Sequence, residues 1–534
     1  MKRNVVAGTM FLALTSQLGS SGTAQAESPS ETRTPATPWA ATGTLSLLDA
    51  VRTTLRLSPP IQTAEAQLRQ QEALLNVARG PFDPIVTAGV SQAHTAAPVL
   101  PGAALTPGQN SLLTDTTSAN LGASVATVLG TTITPNVGLS RVSEHANIPI
   151  MSSGFQSDPA QYATVGVNVT QPLLRGAGTV GAASALASAR RARDAAAHTA
   201  DGIAQVQVYD TLVAYFQLIA TEEDLELLRL EEAEDKKVVE DTRQLVQGQH
   251  RPRSDMPGVE GNLANRTREV MEAEDARVQA VYALALTMGL GQEGTAEFRT
   301  GDTFPDPSTP TLDLDAIIRL AHRDRGDLLA AHDTVAAQDE LLRGAEHNTL
   351  PQLNLALFAG YQGALQKDGI GPFFEALGGN VPGISASAGL SLALPVLNTA
   401  QIADRDLKRS LRDQASIAEK DLERQLPIQV TNTLKDLALS RMALAASIEA
   451  VKQFQQAVTD QRDKVHEGVG TVIDLVLTEE LLITAKQSRT ANELRCANAL
   501  AQVYLEMGAL PTTESAAADA LARLLGPGVV HGTR

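Results

Sequence analysis

The chain has 534 residues, of which 43% are hydrophobic but only 3% aromatic, and it carries a formal net charge of −17. The apolar fraction excludes a disordered polymer, and the acidity argues against nucleic acid as a partner, because a polyanion is bound through clustered Lys and Arg. A lone cysteine, Cys496, excludes an intramolecular disulfide framework and reads as a buried small residue in a helix.

Residues 1–26 read as a secretory leader. Lys2 and Arg3 supply the positive start, Val5 to Leu14 the apolar segment and Ala24-Gln25-Ala26 the small-residue cleavage site, so the mature chain is expected to begin at Glu27. No cysteine follows that site, which argues against a lipid anchor. Residues 27–43, proline-rich and containing Trp39, read as a flexible lead. No later stretch reaches the roughly 18 consecutive apolar residues that a spanning helix needs, so any membrane crossing falls to strands.

From Thr44 the chain repeats itself. Thr44–Val51 (TLSLLDAV) lies over Thr311–Ile318 (TLDLDAII), Ile61 over Leu328, Ala64 over Ala331, and Pro84 over Pro351, without a gap. The copies then differ in length, the insert between Pro84 and Pro172 being longer than that between Pro351 and Pro395. Landmarks return afterwards: Gly248 with Asp255, Glu260 and Leu263 answers Gly468 with Asp474, Glu479 and Leu482, and the copies close at Met288-Gly289 and Met507-Gly508. The resulting plan is a first repeat over 44–291 with strands within 84–172, a linker over 292–310, a second repeat over 311–510 with strands within 351–395, and a C-terminal tail over 511–534.

Apolar residues recur at three and four positions over about 44–80, 176–247, 256–288, 312–347, 398–466 and 474–507, among abundant Ala, Leu, Glu, Arg and Gln; these are expected helices. A helical run of about 70 residues would reach on the order of 100 Å and needs helical neighbours throughout. Pro427 is expected to kink the second long run or break it into two stacked helices, and Gly202 sits at a similar point of the first. The acidic run Glu222 to Glu240 reads as a solvated helix face.

Between the paired prolines the period drops to two. Ala163, Val165, Val167 and Val169 share one face, with Tyr162, Thr164, Gly166, Asn168 and Thr170 on the other. The same alternation runs through Leu353 to Tyr361, Ile384 to Leu394 and Ala119 to Val125. Nine to eleven such residues suit a transmembrane β-strand, or a half-buried strand in a soluble sandwich. Gly176, Gly178 and Gly181 fit G-x-G-x-x-G, but the preceding strand alternates, Pro172 intervenes, and Asp201 falls inside a helix. A hinge between strand and helix is the better reading than a dinucleotide site.

Gln171–Gly176 (QPLLRG) resembles the T-Q-P-L-L-R-G signature of the outer membrane efflux protein family, the TolC-like outer membrane factors. Leu394–Asn398 (LPVLN) is similar to its second-repeat partner, Leu45–Val51 and Leu312–Ile318 to its repeat openings, and Gly468–Leu475 (GVGTVIDL) to its G-T-x-x-x-D-L helical turn. The resemblance spans about residues 44–510. It implies a fold that is mainly α with a transmembrane β-barrel part, a homotrimer in which long helical hairpins form a periplasmic α-barrel continuous with the barrel in outer-membrane lipid. Four strands per subunit, twelve in all, are usual; candidate strands at 118–128 and 131–141 exceed the usual pair in the first insert.

The resemblance further implies an exit duct for efflux or type I secretion, passing small molecules or proteins from an inner-membrane pump and a periplasmic adaptor. Its tips would be Gly248 to Asp255 and Gly468 to Asp474, with Thr471 in the second, and Asp474 would stand in a carboxylate ring that narrows the pore. By its own position Asp474 equally suits a first-turn acid. Leu477 stands where a second acid is usual, and the first tip is longer, with Pro252, Pro257, Arg251 and Arg253. Pro172, Gly176 and Pro395 mark the strand-to-helix joints. No nucleophile, metal-spacing or phosphate-loop motif points to an enzyme or a cofactor. The competing reading is a secreted periplasmic coiled-coil scaffold.

Overall fold

A computed structural model describes residues 44–98, 111–147, 159–249, 252–291, 299–307, 313–367, 375–376, 378, 383–467 and 469–525. The leader, the lead with Trp39, Arg251, Gly468 and the last nine residues of the tail lie outside them.

Two short helices open the described chain, α1 (Leu47–Leu57) and α2 (Pro59–Arg79), and lead into strands β2 (Ile85–Pro98), β3 (Ser111–Ala126), β4 (Thr132–Asn147) and β5 (Ala160–Pro172). A 70-residue helix, α3 (Gly178–Gln247), and its return α4 (Met256–Thr287) complete the first half. The order then recurs. Helices α5 (Leu314–Asp324) and α6 (Gly326–Asn348) precede β7 (Gln352–Gln366) and β8 (Ser385–Ala393), which lead to α7 (Thr399–His466) and α8 (Val472–Glu506). A last helix, α9 (Glu514–Leu525), lies in the tail.

α1 starts where Ser46 caps it: the Asp49 amide donates to Ser46 Oγ (3.2 Å), and the hydroxyl donates back to Asp49 Oδ2 (2.7 Å). The long helices have the neighbours they require. α3 packs on α2 and α6 in its first half and on α4 and α8 in its second, while α7 runs against α6 and α8. Burial is distributed in small clusters along these seams: Leu75, Ala183 and Leu186; Leu225, Leu228, Val270 and Ile483; Val451, Val458, Leu475 and Leu482.

Midway along α3, Tyr215 and Phe216 are fully buried. The parallel pair β1 (Thr44–Leu45) and β6 (Arg299–Thr300) docks there, the Tyr215 hydroxyl lying 2.8 Å from Leu45 O and 2.9 Å from Asp302 Oδ2, which also accepts from the Leu47 amide (2.6 Å). α9 packs on α1 and buries Ala517, Leu521 and Leu524, an ordered element that the tail's composition did not announce.

Two sequence expectations are corrected. α7 runs through Pro427 unbroken, flanked by the buried Leu426 and Val430, so burial on either side holds the helix together where one backbone bond is lost. Gly202 does not interrupt α3 either. A Cβ on Gly326, at the start of α6, would lie 2.6 Å from the Gly202 amide nitrogen, so the two glycines let α3 and α6 cross closely.

The glycines that close the halves have matched tasks. Gly289 (φ +73°) lies against Leu57 and Ser58, where α1 meets α2, and Gly508 (φ +68°) against Asp324 and Arg325, where α5 meets α6. Both follow helix ends in which the next amide reaches back to a last-turn carbonyl, Leu290 to Ala285 and Ala509 to Tyr504, each at 2.9 Å. Gly508→Ala adds a left-handed penalty to a clash with the Asp324 carbonyl. A loss of about 2 kcal/mol is expected, read as a lowered urea midpoint, with Gly261→Ala, whose Cβ meets nothing, at or above the parent.

The six strands β2-β3-β4-β5-β7-β8 form one antiparallel sheet in that order, so the two candidate strands of the first insert join the others as full members. Directly paired residues share a face, and the register sorts the two faces. One carries the rows Val90-Ala119-Leu139-Ala163, Ala88-Leu121-Val137-Val165-Tyr361 and Val125-Ile133-Val169-Leu357-Ala388. The other carries Thr87-Gly122-Asn136-Gly166-Gly360-Ser385 and Ser91-Ser118-Ser140-Tyr162. The apolar face ends at the row Gln92-Thr117-Arg141-Gln161. Along β7 it runs from Leu353 to Tyr361, about 27 Å of strand, or roughly 20 Å of height at a barrel-like tilt.

Candidate functional site

The strand-to-helix joint is built by the glycines that the sequence singled out. β5 ends at Pro172, after which the Leu173 and Arg175 amides donate to the Leu353 (2.7 Å) and Pro351 (3.2 Å) carbonyls at the start of the neighbouring β7. Gly176 (φ +83°) and Gly178 (φ +69°) then turn the chain into α3, both in the region where a side chain is strained. Gly181 serves packing instead, since a Cβ there would lie 2.7 Å from His347 Nδ1 on α6.

The β3–β4 turn is seated in this joint. The Gly178 amide donates to Leu129 O (3.1 Å), Thr131 Oγ1 donates to Gln171 Oε1, and a Cβ on Gly130 (φ +85°) would strike Gly176 O and Pro172 Cγ. Nothing in the spacing of the triplet announced this partner, because the turn precedes it by some forty residues. At the second joint Pro395 is exposed, and Asn398 (φ +48°) takes the left-handed position, its Nδ2 donating to Thr349 O (2.8 Å). Asn tolerates that region better than other non-glycine residues, so no glycine is needed here.

At the far ends of the long helices, the first tip places its left-handed residue at Gln249 (φ +58°), while Gly248 keeps φ −75° as the α3 C-cap. Arg253–Asp255 form a single 3₁₀ turn that leads into α4, with Asp255 at its N-cap. In the second tip Thr471 caps α8. The Asp474 amide donates to Thr471 Oγ1 (3.1 Å), and that hydroxyl donates to Asp474 Oδ2 (2.5 Å), the arrangement seen at Ser46 and Asp49. Asp474 is exposed and serves as a first-turn acid. Gly470 is the residue that sequence reasoning missed: its amide donates to Lys464 O (3.0 Å), and a Cβ would press on the Val465 amide. The tips are neighbours, Val465 and Val476 packing against the buried Val239 and Val259.

Between the tips and the Tyr215 belt, the acidic run of α3 departs from the solvated face expected of it. Glu222 accepts from Arg277 (3.1 Å) and from the Thr300 amide (3.0 Å) and hydroxyl (2.6 Å), and Glu231 pairs with Lys486 (3.1 Å). Arg266 of α4, 3% exposed, meets Asp235 of α3 (3.4 Å), Glu269 of its own helix (2.5 Å) and Glu480 of α8 (2.5 Å). Glu234 and Glu240 do keep to the surface, pairing with Lys237 and Arg243. The partners of the inward acids lie on other helices, which is why the run read as solvated.

Burial pushes the Asp224 carboxyl up to about 6, and its Oδ1 is buried without a hydrogen-bond partner among the described residues. A carboxyl raised above its unfolded value near 3.9 takes up a proton in the native state. The associated stability is complete below about pH 4 and is lost as pH rises through about 6. Because the group is partly solvated, the loss is about 1–2 kcal/mol. Asp224→Asn is expected to raise the urea midpoint at pH 7.5 and to flatten the slope between pH 4 and pH 7. Burial likewise raises the thiol of Cys496, which is buried as its helical setting implied.

An antiparallel sheet with one apolar and one polar face, joined through tight turns to helices of 70 and 68 residues, is a fold shared with solved outer-membrane channels. Among solved structures the chain is similar to the Vibrio cholerae outer membrane protein VceC, at 15% identity and TM-score 0.59, over 86% of this chain and 96% of that one. It is similar also to the Campylobacter jejuni CmeC outer membrane channel (13%, TM-score 0.58, 86% and 85% covered) and to the open state of the Neisseria gonorrhoeae MtrE outer membrane channel (16%, TM-score 0.57, 86% and 88% covered). No protein-family model and no curated protein matches the chain.

Proposed function

We infer that the chain is an outer-membrane channel. Three copies close their sheets into a barrel in outer-membrane lipid, and the duplicated units 44–291 and 311–510 extend as helical hairpins into the periplasm. The sheet carries this reading. Its apolar face leaves large side chains such as Val90 (65% exposed), Leu121 (53%) and Leu390 (65%) bare across adjoining strands, a surface that suits acyl chains and not water. Its other face, mostly Ser, Asn, Thr and Gly with Tyr162 and Phe358 among them, suits a water-filled lumen. The matched placing of Gly289 and Gly508 supports the duplication, and β2 and β8, the sheet's edges among the described residues, call for copies to close them.

In this reading the protein is an exit duct without cofactor or catalytic centre. It passes small molecules or proteins handed over by a periplasmic adaptor and an inner-membrane pump, which supply the energy. The tips Gly248 to Asp255 and Gly468 to Asp474 meet the adaptor. Thr471 sets the start of α8, and three Asp474 carboxylates give the entrance a preference for cations.

Membrane fractionation tests it. The protein should band with the outer membrane and resist carbonate and urea extraction, and in planar bilayers Asp474→Asn should lower the preference for cations over anions. Recovery as a soluble periplasmic protein would sink the channel and restore the scaffold reading.

A further inference from the structure

The six strands hold more than the membrane reading requires. Among the described residues four of them connect to helices: β2 follows α2, β5 leads to α3, β7 follows α6 and β8 leads to α7. β3 and β4 form a hairpin that returns at Thr127–Thr131 without any helix of its own. Two arrangements are open to such an insert, a hairpin folded away from the wall or one inside it. The register favours the second. β3 pairs with β2 from Ile85 to Pro98, and β4 pairs with β5 from Thr132 to Val142, so that β2 and β5 nowhere touch as strands.

The hairpin also carries the wall's two-faced pattern in phase with its neighbours. Leu121 and Val137 stand in line with Ala88 and Val165 on the apolar face, while Asn120, Gly138 and Thr164 continue Gly89 on the polar one. Its turn is fixed at the level where the other strands become helices, since Leu129 O accepts the amide of Gly178 and Gly130 fits against Pro172 and Gly176. A hairpin lying outside the wall would have no reason for either feature.

We propose that all six strands stand in the barrel wall, so that three copies close a barrel of eighteen strands. This rests on the trimeric channel reading. With strands about 4.8 Å apart and tilted about 40°, eighteen strands give a wall about 36 Å across between backbone centres, against about 24 Å for twelve. Barrels of sixteen to eighteen strands leave an aqueous channel. The membrane end is therefore of porin width, and selection of cargo by size falls to the helical tips at the other end.

The test uses the full-length chain in outer-membrane vesicles, with single cysteines placed by substitution. Cys496 is buried, so the parent serves as the blank. In β3 and β4, Asn120→Cys and Asn136→Cys should react with a water-soluble maleimide at least about tenfold faster than Leu121→Cys and Val137→Cys. An NBD label at the latter two should emit at shorter wavelength, as in lipid. Ala356→Cys and Leu357→Cys in β7 are the reference pair, and the mass of the detergent-solubilised complex gives the copy number. Alternation in both hairpin and β7, with three copies, supports eighteen strands. Alternation in β7 alone places the hairpin outside the wall and overturns the inference while leaving the channel in place. A copy number other than three removes the count, and alternation in neither strand overturns both inference and channel.

Discussion

Leu357→Arg is expected to abolish recovery of the protein from the outer membrane, whereas Ala356→Arg, one position earlier, should be tolerated. Leu357 lies at the middle of the apolar run of β7, between Val169 on β5 and Ala388 on β8. In the channel reading a guanidinium at that depth faces hydrocarbon, and the cost for Arg near the midplane of a membrane barrel is about 2–4 kcal/mol per copy. In a closed trimer the charge enters three times. Ala356 points to the other face, beside Thr170 and Gly389, where a water-filled lumen would solvate the new charge at little cost. Immunoblots of outer-membrane fractions and a urea titration of the folded form provide the reading. Equal loss for both variants would mean that the faces are not lipid and lumen, and would return the sheet to the soluble sandwich that its alternation also permits.

What was legible in the sequence follows from the range of the interactions involved. Helices and strands announce themselves through periods of 3.6 and 2, which are local, so α3, α7 and the alternation of β5 and β7 could be read directly from one run of residues. The joint at Pro172 and Gly176 was readable for the same reason, because a strand ending at a proline with glycines beyond it is a local pattern. What the glycines touch was not. Gly130 against Gly176, Gly202 against Gly326 and Gly181 against His347 are contacts between distant segments, and a glycine reveals only that something comes close or that φ is positive. The strand count was open for a related reason: the pattern at 118–128 and 131–141 marked strands but not the sheet they would join. At the tips the expected landmark Gly248 turned out to be an ordinary C-cap, with the left-handed turn one residue later at Gln249. The acidic run was misread because charge composition says nothing about Arg266, Arg277 or Lys486, which reach it from α4 and α8.

Arg266→Met is the second substitution with a large expected effect, and it separates the helical part from the sheet. The arginine side chain is 3% exposed and meets carboxylates of α3, α4 and α8 at once. Its removal leaves Asp235, Glu269 and Glu480 facing one another with their shared cation gone. Losing one partner of a buried charge cluster costs about 3–5 kcal/mol, and since Glu480 and Glu269 are partly exposed the lower end, about 3 kcal/mol, is expected here. The measurement is the urea midpoint for loss of helical circular dichroism. Glu480→Gln alone should cost less, about 1 kcal/mol, because that carboxylate is half in water and two others still neutralise the guanidinium. The double variant Arg266→Met with Glu480→Gln should recover part of the loss by removing one of the stranded charges, giving a coupling that simple additivity would not. If the two single effects sum to that of the double variant, the cluster is held by packing around Val270 and Ile483 and not by its charges. If Arg266→Met is neutral, the seam between the two hairpins carries no electrostatic lock at this level.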